Sequence, residues 1–77
     1  MACINPDGTL SVVARAVLGL LGERPHEPEA LAEAAGLPLY RVRATIRETG
    51  KAGLIEADGE AWRLTALGAE ALELDAD

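Results

Sequence analysis

Aromatic residues are scarce in this sequence. Phenylalanine is absent, and Tyr40 and Trp62 are the only aromatic side chains. The core must therefore be assembled mainly from leucine, isoleucine, valine and alanine. Apolar residues make up 49% of the chain, which is ordinary for a folded protein and too high for a disordered one. With 77 residues, the chain has the length of one domain with a small core.

Cysteine is almost as rare, because Cys3 is the only one. It cannot form an internal disulfide, and no cysteine or histidine stands near it at metal-ligand spacing. We interpret it as a free thiol in a reducing cytoplasm, and we expect no metal and no cofactor. The N-terminus lacks a charged region followed by an apolar run, so no secretory signal is predicted. The longest apolar stretch, residues 12–21, is interrupted by Arg15 and is too short to cross a membrane.

The residues that catalysis requires are also lacking. His26 is the only histidine, and it lies in a connector without a serine or cysteine partner in sequence. No glycine-rich phosphate loop is visible. We therefore expect His26 to lie at the surface and the protein not to be an enzyme.

Positive charge is scarce overall but concentrated in one segment. The chain carries a net charge of −6, which argues against nucleic acid, because basic side chains supply most non-specific affinity. Residues 39–52 nevertheless hold four of the seven basic residues and one acid, a net charge of +3, so the remainder carries −9. This asymmetry is the first indication of function.

Hydrophobic periodicity, together with the glycines, prolines and capping residues between the periodic segments, predicts three helices, then a hairpin, then a fourth helix. A turn over residues 5–8 precedes a first helix that Thr9 or Ser11 can cap and that Gly22 is expected to end. Pro28 suits the start of the second helix, and Gly36 suits a left-handed residue after it. The predicted bounds are residues 9–22, 28–35 and 38–52 for three helices, 54–64 for the hairpin and 66–74 for the last helix.

The hairpin prediction depends on Asp58-Gly59, a strong two-residue turn signal between short apolar runs. With that turn, Ile55 lies opposite Trp62, and Trp62 is expected to be a core residue. After the hairpin, Thr65 can cap the last helix, in which Leu67, Ala71 and Leu74 share one side.

Three segments carry a further pattern: residues 31–38 read LAEAAGLP, residues 52–55 read AGLI, and residues 62–68 read WRLTALG. Together these segments resemble a winged helix-turn-helix domain of bacterial and archaeal regulators. This matches the family's leucine-alanine second helix, glycine turn, recognition helix, wing and leucine-threonine-x-x-glycine closing helix. The resemblance spans roughly residues 10–74. It implies a mainly α fold with a small β-hairpin wing, consisting of a three-helix core, a two-stranded wing and a C-terminal helix.

The resemblance implies that the third helix enters the major groove of double-stranded DNA and that the wing touches the flanking backbone. It points to Tyr40, Arg41, Ala44 and Arg47 as groove-facing positions. The chain departs from the family pattern in three ways. Thr49 stands where leucine is usual, Pro38 stands where serine or threonine often caps, and the wing is acidic. The cysteine-rich metal site of arsenic-sensor-type relatives is missing.

Helical geometry gives an independent view of the third helix. If Val42 and Ile46 form its buried stripe, with Thr49 beside them, then Tyr40, Ala44, Arg47 and Lys51 point nearly opposite at ~100° per residue. Arg43, Arg47 and Lys51 form a ladder of like charge that costs an isolated helix about 0.2–0.5 kcal/mol per pair. We interpret the missing anions as those of a partner. The predicted DNA-binding residues are Tyr40, Arg41, Arg43, Ala44, Arg47, Lys51 and Arg63.

Alternatives remain open at this stage. The basic face could be a solvated surface paired with acids of the same chain, and Arg63 could reach phosphate or a nearby glutamate. Winged helices also bind proteins, so an acidic protein is an alternative partner to DNA. The abundance of acids could also reflect habitat. A homodimer could form through the first helix or the Leu67–Leu74 helix, since helix-turn-helix proteins usually bind two half-sites.

Overall fold

Four helices and one two-stranded antiparallel hairpin make up the part of the chain that the structure, a computed structural model, describes: Ile4 and residues 9–74. The mainly helical composition and the order of the elements are as predicted. The turn predicted over residues 5–8 and the thiol of Cys3 lie outside the described residues. The elements are α1 (Val12–Glu23), α2 (Pro28–Ala35), α3 (Leu39–Lys51), β1 (Ile55–Asp58), β2 (Ala61–Leu64) and α4 (Ala66–Leu74).

Helix α1 starts three residues after its predicted position. Ser11 is its N-cap and accepts a hydrogen bond from the Ala14 amide at 3.1 Å. The predicted start at residue 9 is wrong because Leu10 pairs with Ile4 in an isolated β-bridge. The predicted end at Gly22 is also wrong, since the helix continues to Glu23 and ends where Arg24 is extended.

Helices α2 and α3 agree closely with their predicted bounds. Pro28 is the first residue of α2, and Gly36 follows it in the left-handed conformation with φ 68°. The amide of Gly36 donates to the carbonyls of the last turn, as expected for a glycine that ends a helix. Helix α3 runs within the predicted range of 38–52, with Pro38 and Ala52 as its flanking caps.

The hairpin forms, but its register differs from the prediction. Ile55 pairs with Leu64, and Ala57 pairs with Trp62, so the predicted Ile55–Trp62 pair is wrong. The turn residues are Gly59 and Glu60 instead of Asp58 and Gly59. Gly59 has φ 64°, and no described non-glycine residue has a positive φ. A positive φ at the first turn residue alone fits a type II′ turn, whereas the predicted turn would have placed Asp58 at that position.

The connector between α1 and α2 extends this sheet. His26 and Trp62 exchange backbone hydrogen bonds of 3.1 and 2.8 Å in an isolated bridge. His26 is only 7% exposed, and its Nδ1 donates to the carbonyl of Arg24 at 2.8 Å. The expected surface histidine is therefore wrong, because the bridge to Trp62 holds the imidazole against the fold.

Aliphatic side chains from three helices and β1 build the core, and α4 closes it. Leu18, Leu31, Val17 and Val42 are among the largest fully buried side chains, and Trp62 packs partly buried against this core. Helix α4 contributes buried Gly68, with Ala71 and Leu72 partly buried. Leu67 and Leu74, on the predicted apolar side of α4, are instead 52% and 83% exposed.

One hydroxyl joins the end of α3 to the start of α4. The side chain of Thr65 accepts a hydrogen bond from the Gly68 amide at 3.0 Å, which confirms the predicted cap. The same hydroxyl donates to the carbonyl of Gly53 at 2.7 Å. Within Ile4 and residues 9–74, no helix has both the length and the apolar character needed to cross a bilayer.

Candidate functional site

Helix α3 is anchored by one buried stripe. Val42, Thr45, Ile46 and Thr49 are all buried. The hydroxyl of Thr49 donates to the carbonyl of Thr45 at 2.7 Å, and that of Thr45 donates to the carbonyl of Arg41 at 3.0 Å. Their polar atoms are therefore satisfied within the helix, as burial requires. Thr45 was not among the residues predicted for this stripe, although its spacing from Ile46 and Thr49 places it on the same side.

The opposite side of α3 forms an outward face that consists of Tyr40, Ala44, Arg47 and Lys51. At ~100° per residue these positions lie within about 40° of the direction opposite the buried stripe. Tyr40 is 72% exposed, Arg47 and Lys51 are exposed, and Ala44 is half-buried between longer neighbours. The face extends about 16 Å along the helix, since its ends are eleven positions apart. The structure thus brings together four of the seven predicted site residues.

The two cations of the outward face have no acidic partner within the described part of the chain. Neither Arg47 nor Lys51 makes an ion pair there, and Glu48, which is placed to neutralise Lys51, does not do so. A cationic side chain without an internal partner keeps its charge available for an external anion. These two side chains are therefore the centre of the candidate site.

Arg43 lies on the flank of α3 and faces α2. Its Nη2 stands 3.9 Å from Oε2 of Glu29, and both side chains are well exposed, at 61% and 67%. An exposed pair at this distance contributes about 0–1 kcal/mol, so an external anion can displace the carboxylate at modest cost. Arg41 lies on the other flank and is half-buried.

Arg63 belongs to the hairpin, apart from α3. It lies directly across from Glu56 in the β1–β2 ladder, and its guanidinium contacts the Glu56 carboxylate. Of the two alternatives left open by the sequence, the structure shows the salt bridge. Asp58 and Glu60 are exposed at the turn of the hairpin, so this part of the surface is acidic.

The hairpin touches the same flank of α3 as Glu29 does. A Cβ on Gly50 would stand 3.9 Å from Cζ3 of Trp62, so the indole lies over the bare backbone of α3 at this residue. Gly50 lies about 20° from Arg43 around the helix axis. This contact was not predicted, and the only signal for it was a glycine inside a helix, which commonly has a packing reason.

The flank beside α2 therefore combines acidic and apolar character, while the outward face is cationic.

A shallow depression on the molecule is lined by Arg24, Pro25, His26, Glu27, Glu29, Ala30 and Ala61. Among the residues that the structure places, His, Asp, Glu and Cys side chains do not gather into a metal-binding group.

Comparison with known proteins adds no relative to this picture. No protein-family model, no curated protein and no solved structure matches the chain. Function must therefore be inferred from the residues and their arrangement alone.

Proposed function

We propose that this chain is a winged helix-turn-helix transcription regulator that binds double-stranded DNA with α3 in the major groove. In this proposal β1 and β2 form the wing. The protein acts by binding and not by catalysis. The observation that carries the proposal is the outward face of α3, where Arg47 and Lys51 make no ion pair with the described residues, on a helix anchored by a buried stripe.

The dimensions and chemistry of this face fit a DNA groove. The major groove is ≈ 12 Å wide and admits one α-helix. An arginine can bind guanine O6 and N7 in a bidentate manner, whereas lysine acts as a point charge on phosphate. In the proposal Arg47 reads a base edge, Lys51 contacts phosphate, and Tyr40 and Ala44 pack against the groove.

The structure lowers the number of phosphate contacts that we expect. Arg43 and Arg63 each contact a carboxylate of the same chain, whereas Arg47 and Lys51 are the two cations of the outward face. With Lys51 on a phosphate and Arg47 on a base edge, one neutralised phosphate gives a log–log salt slope near −0.9, whereas phosphate contacts by all four basic residues of residues 39–52 would give about −3 to −4.

The test begins with selection from a random duplex pool at two salt concentrations, followed by affinity measurements on the enriched duplex. Arg47→Ala should weaken binding by about 1–3 kcal/mol and relax the preference at one base position. Lys51→Ala should weaken binding to all duplexes and reduce the slope by about 0.9.

Arg15→Ala is the matched control, because it removes the same charge from an exposed position on α1. It should leave the base preference unchanged. If no duplex is enriched, or if the slope is zero for every duplex, the DNA-binding proposal must be abandoned.

A second candidate function is a protein-interaction module in which the same face binds an acidic partner. The contacts of Arg43 with Glu29 and of Arg63 with Glu56 favour it, because they show that guanidinium groups beside this face pair with carboxylates. Isolation of a stoichiometric acidic partner that Arg47→Ala releases, with no duplex enriched, would support this function over the first.

A further inference from the structure

We propose that Glu29 and Glu56 are specificity determinants of this surface, because each holds an arginine that would otherwise bind any DNA phosphate. The inference rests on the proposed DNA-binding function and deepens it. It concerns which cations can bind phosphate in non-specific complexes and which bind mainly in the specific complex.

Four of the five basic residues on α3 and β2 divide into two groups by position and by partner, and the fifth, Arg41, is half-buried on the other flank of α3. Arg47 and Lys51 lie on the outward face without a carboxylate partner in residues 9–74. Arg43 and Arg63 lie off that face, one on the flank of α3 and one on β2, and each is in contact with a carboxylate. The cations that are paired with a carboxylate are therefore the ones that lie off the outward face.

This division affects the two modes of DNA binding differently. Non-specific affinity comes almost entirely from phosphate contacts, which any exposed cation can make in many orientations. A specific complex fixes one orientation, in which phosphate contacts position the protein and base contacts specify the site. The carboxylates of Glu29 and Glu56 therefore lower the affinity of the many non-specific orientations more than they lower the affinity of the single specific complex centred on Arg47.

Repulsion acts in the same direction. Glu56 is exposed on the hairpin near Asp58 and Glu60, and Glu29 stands in the first turn of α2. A phosphate approaching Arg43 or Arg63 must displace a carboxylate and also meet its charge. Replacing either carboxylate by an amide of the same size removes both obstacles without changing the packing.

The experiment compares Glu29→Gln and Glu56→Gln with Glu70→Gln. Glu70 is exposed on α4 and makes no ion pair with the described residues, so it controls for the change in net charge. Each protein is titrated with the selected duplex and with a scrambled duplex of equal length at several salt concentrations. Circular dichroism confirms that each variant is folded.

We expect each test variant to bind the scrambled duplex about 1.5- to fivefold more tightly than Glu70→Gln, which corresponds to the range for exposed ion pairs. The salt slope should steepen by about 0.9 for each arginine released. The selected duplex should gain less, so the ratio of specific to non-specific affinity should fall.

The inference is overturned if both test variants behave as Glu70→Gln does, or if the affinity ratio is unchanged or rises. In that case the DNA-binding function stands, because the parent protein still binds the selected duplex. If the parent selects no duplex at all, the function and the inference are rejected together.

Discussion

Gly68 offers the sharpest test of how α4 is held in place. A Cβ built on this residue would overlap the carbonyl oxygen of Leu54, and it would stand 2.7 Å from Cδ1 of Leu64 and 3.0 Å from the carbonyl carbon of Leu54. The Leu54 carbonyl already accepts a hydrogen bond from the Thr65 amide at 3.0 Å. It cannot withdraw without breaking that bond, so in Gly68→Ala the helix must move away.

The expected loss of stability follows from two opposing effects. Alanine favours a helix over glycine by roughly 0.5–1 kcal/mol. Gly68 has no positive φ, so this gain applies. Overpacking against a backbone atom costs about 3 kcal/mol or more, at the upper end of the usual range, because the nearest atom is not a flexible side chain. The net effect of Gly68→Ala is a loss of about 2–3 kcal/mol.

Such a loss is large for this chain. Its total stability is expected to be roughly 4–12 kcal/mol, and each kcal/mol shifts the melting temperature of a domain this size by about 4–8 °C. Thermal unfolding followed by circular dichroism should therefore show a decrease of roughly 10–20 °C for Gly68→Ala.

Gly19→Ala provides the matched control for Gly68→Ala. Gly19 lies inside α1, is exposed, and a Cβ there would meet nothing within 4 Å. This variant should be more stable than the parent by about 0.5–1 kcal/mol. If Gly68→Ala is as stable as the parent, the close approach of α4 to Leu54 is not a feature of the folded protein.

Two further substitutions test the junctions between helices by urea unfolding. Thr65→Val removes both the cap of α4 and the hydrogen bond to Gly53, so it should lower the free energy of unfolding by about 1–2 kcal/mol. Thr65→Ser keeps the hydroxyl and should lower it much less. Equal losses in the two variants would mean that the hydroxyl is unimportant. Gly36→Ala places a side chain at φ 68° with no atom within 4 Å, so conformational strain alone should cost about 1–2 kcal/mol. Gly36→Asn should be milder because asparagine tolerates this conformation, and an alanine variant of unchanged stability would contradict the left-handed assignment.

Residues next to the helix ends were sufficient to predict where α2 begins and ends and where α4 begins. Glycine after α2 and threonine before α4 act through hydrogen bonds to neighbouring residues, and proline at the start of α2 acts through its fixed φ at a position that needs no amide donor. Such interactions depend on the nearest few positions and can be read without knowing the fold. Three of the four residues in the buried stripe of α3 were also predicted from their helical spacing, and Thr45 was missed.

Features that depend on contacts between residues far apart in the sequence were predicted wrongly. The burial of His26 and the extension at Arg24 follow from backbone pairing with Trp62, which lies more than thirty residues further along the chain. The hairpin register differed because Gly59 takes the first of two turn positions, and both alternatives use a glycine in the turn. The exposure of Leu67 and Leu74 depends on how α4 rotates when Gly68 meets Leu54.

For the candidate site, charge and helical period are local properties, so the amino-acid order was enough to predict a cationic helix face and the residues that lie on it. Which of these cations pair with a carboxylate depends on the packing of the elements in space. Arg43 and Glu29 are fourteen positions apart and meet because α2 packs beside α3, and Arg63 meets Glu56 through the strand register. Coulomb interactions depend on distance in space, and the fold sets that distance.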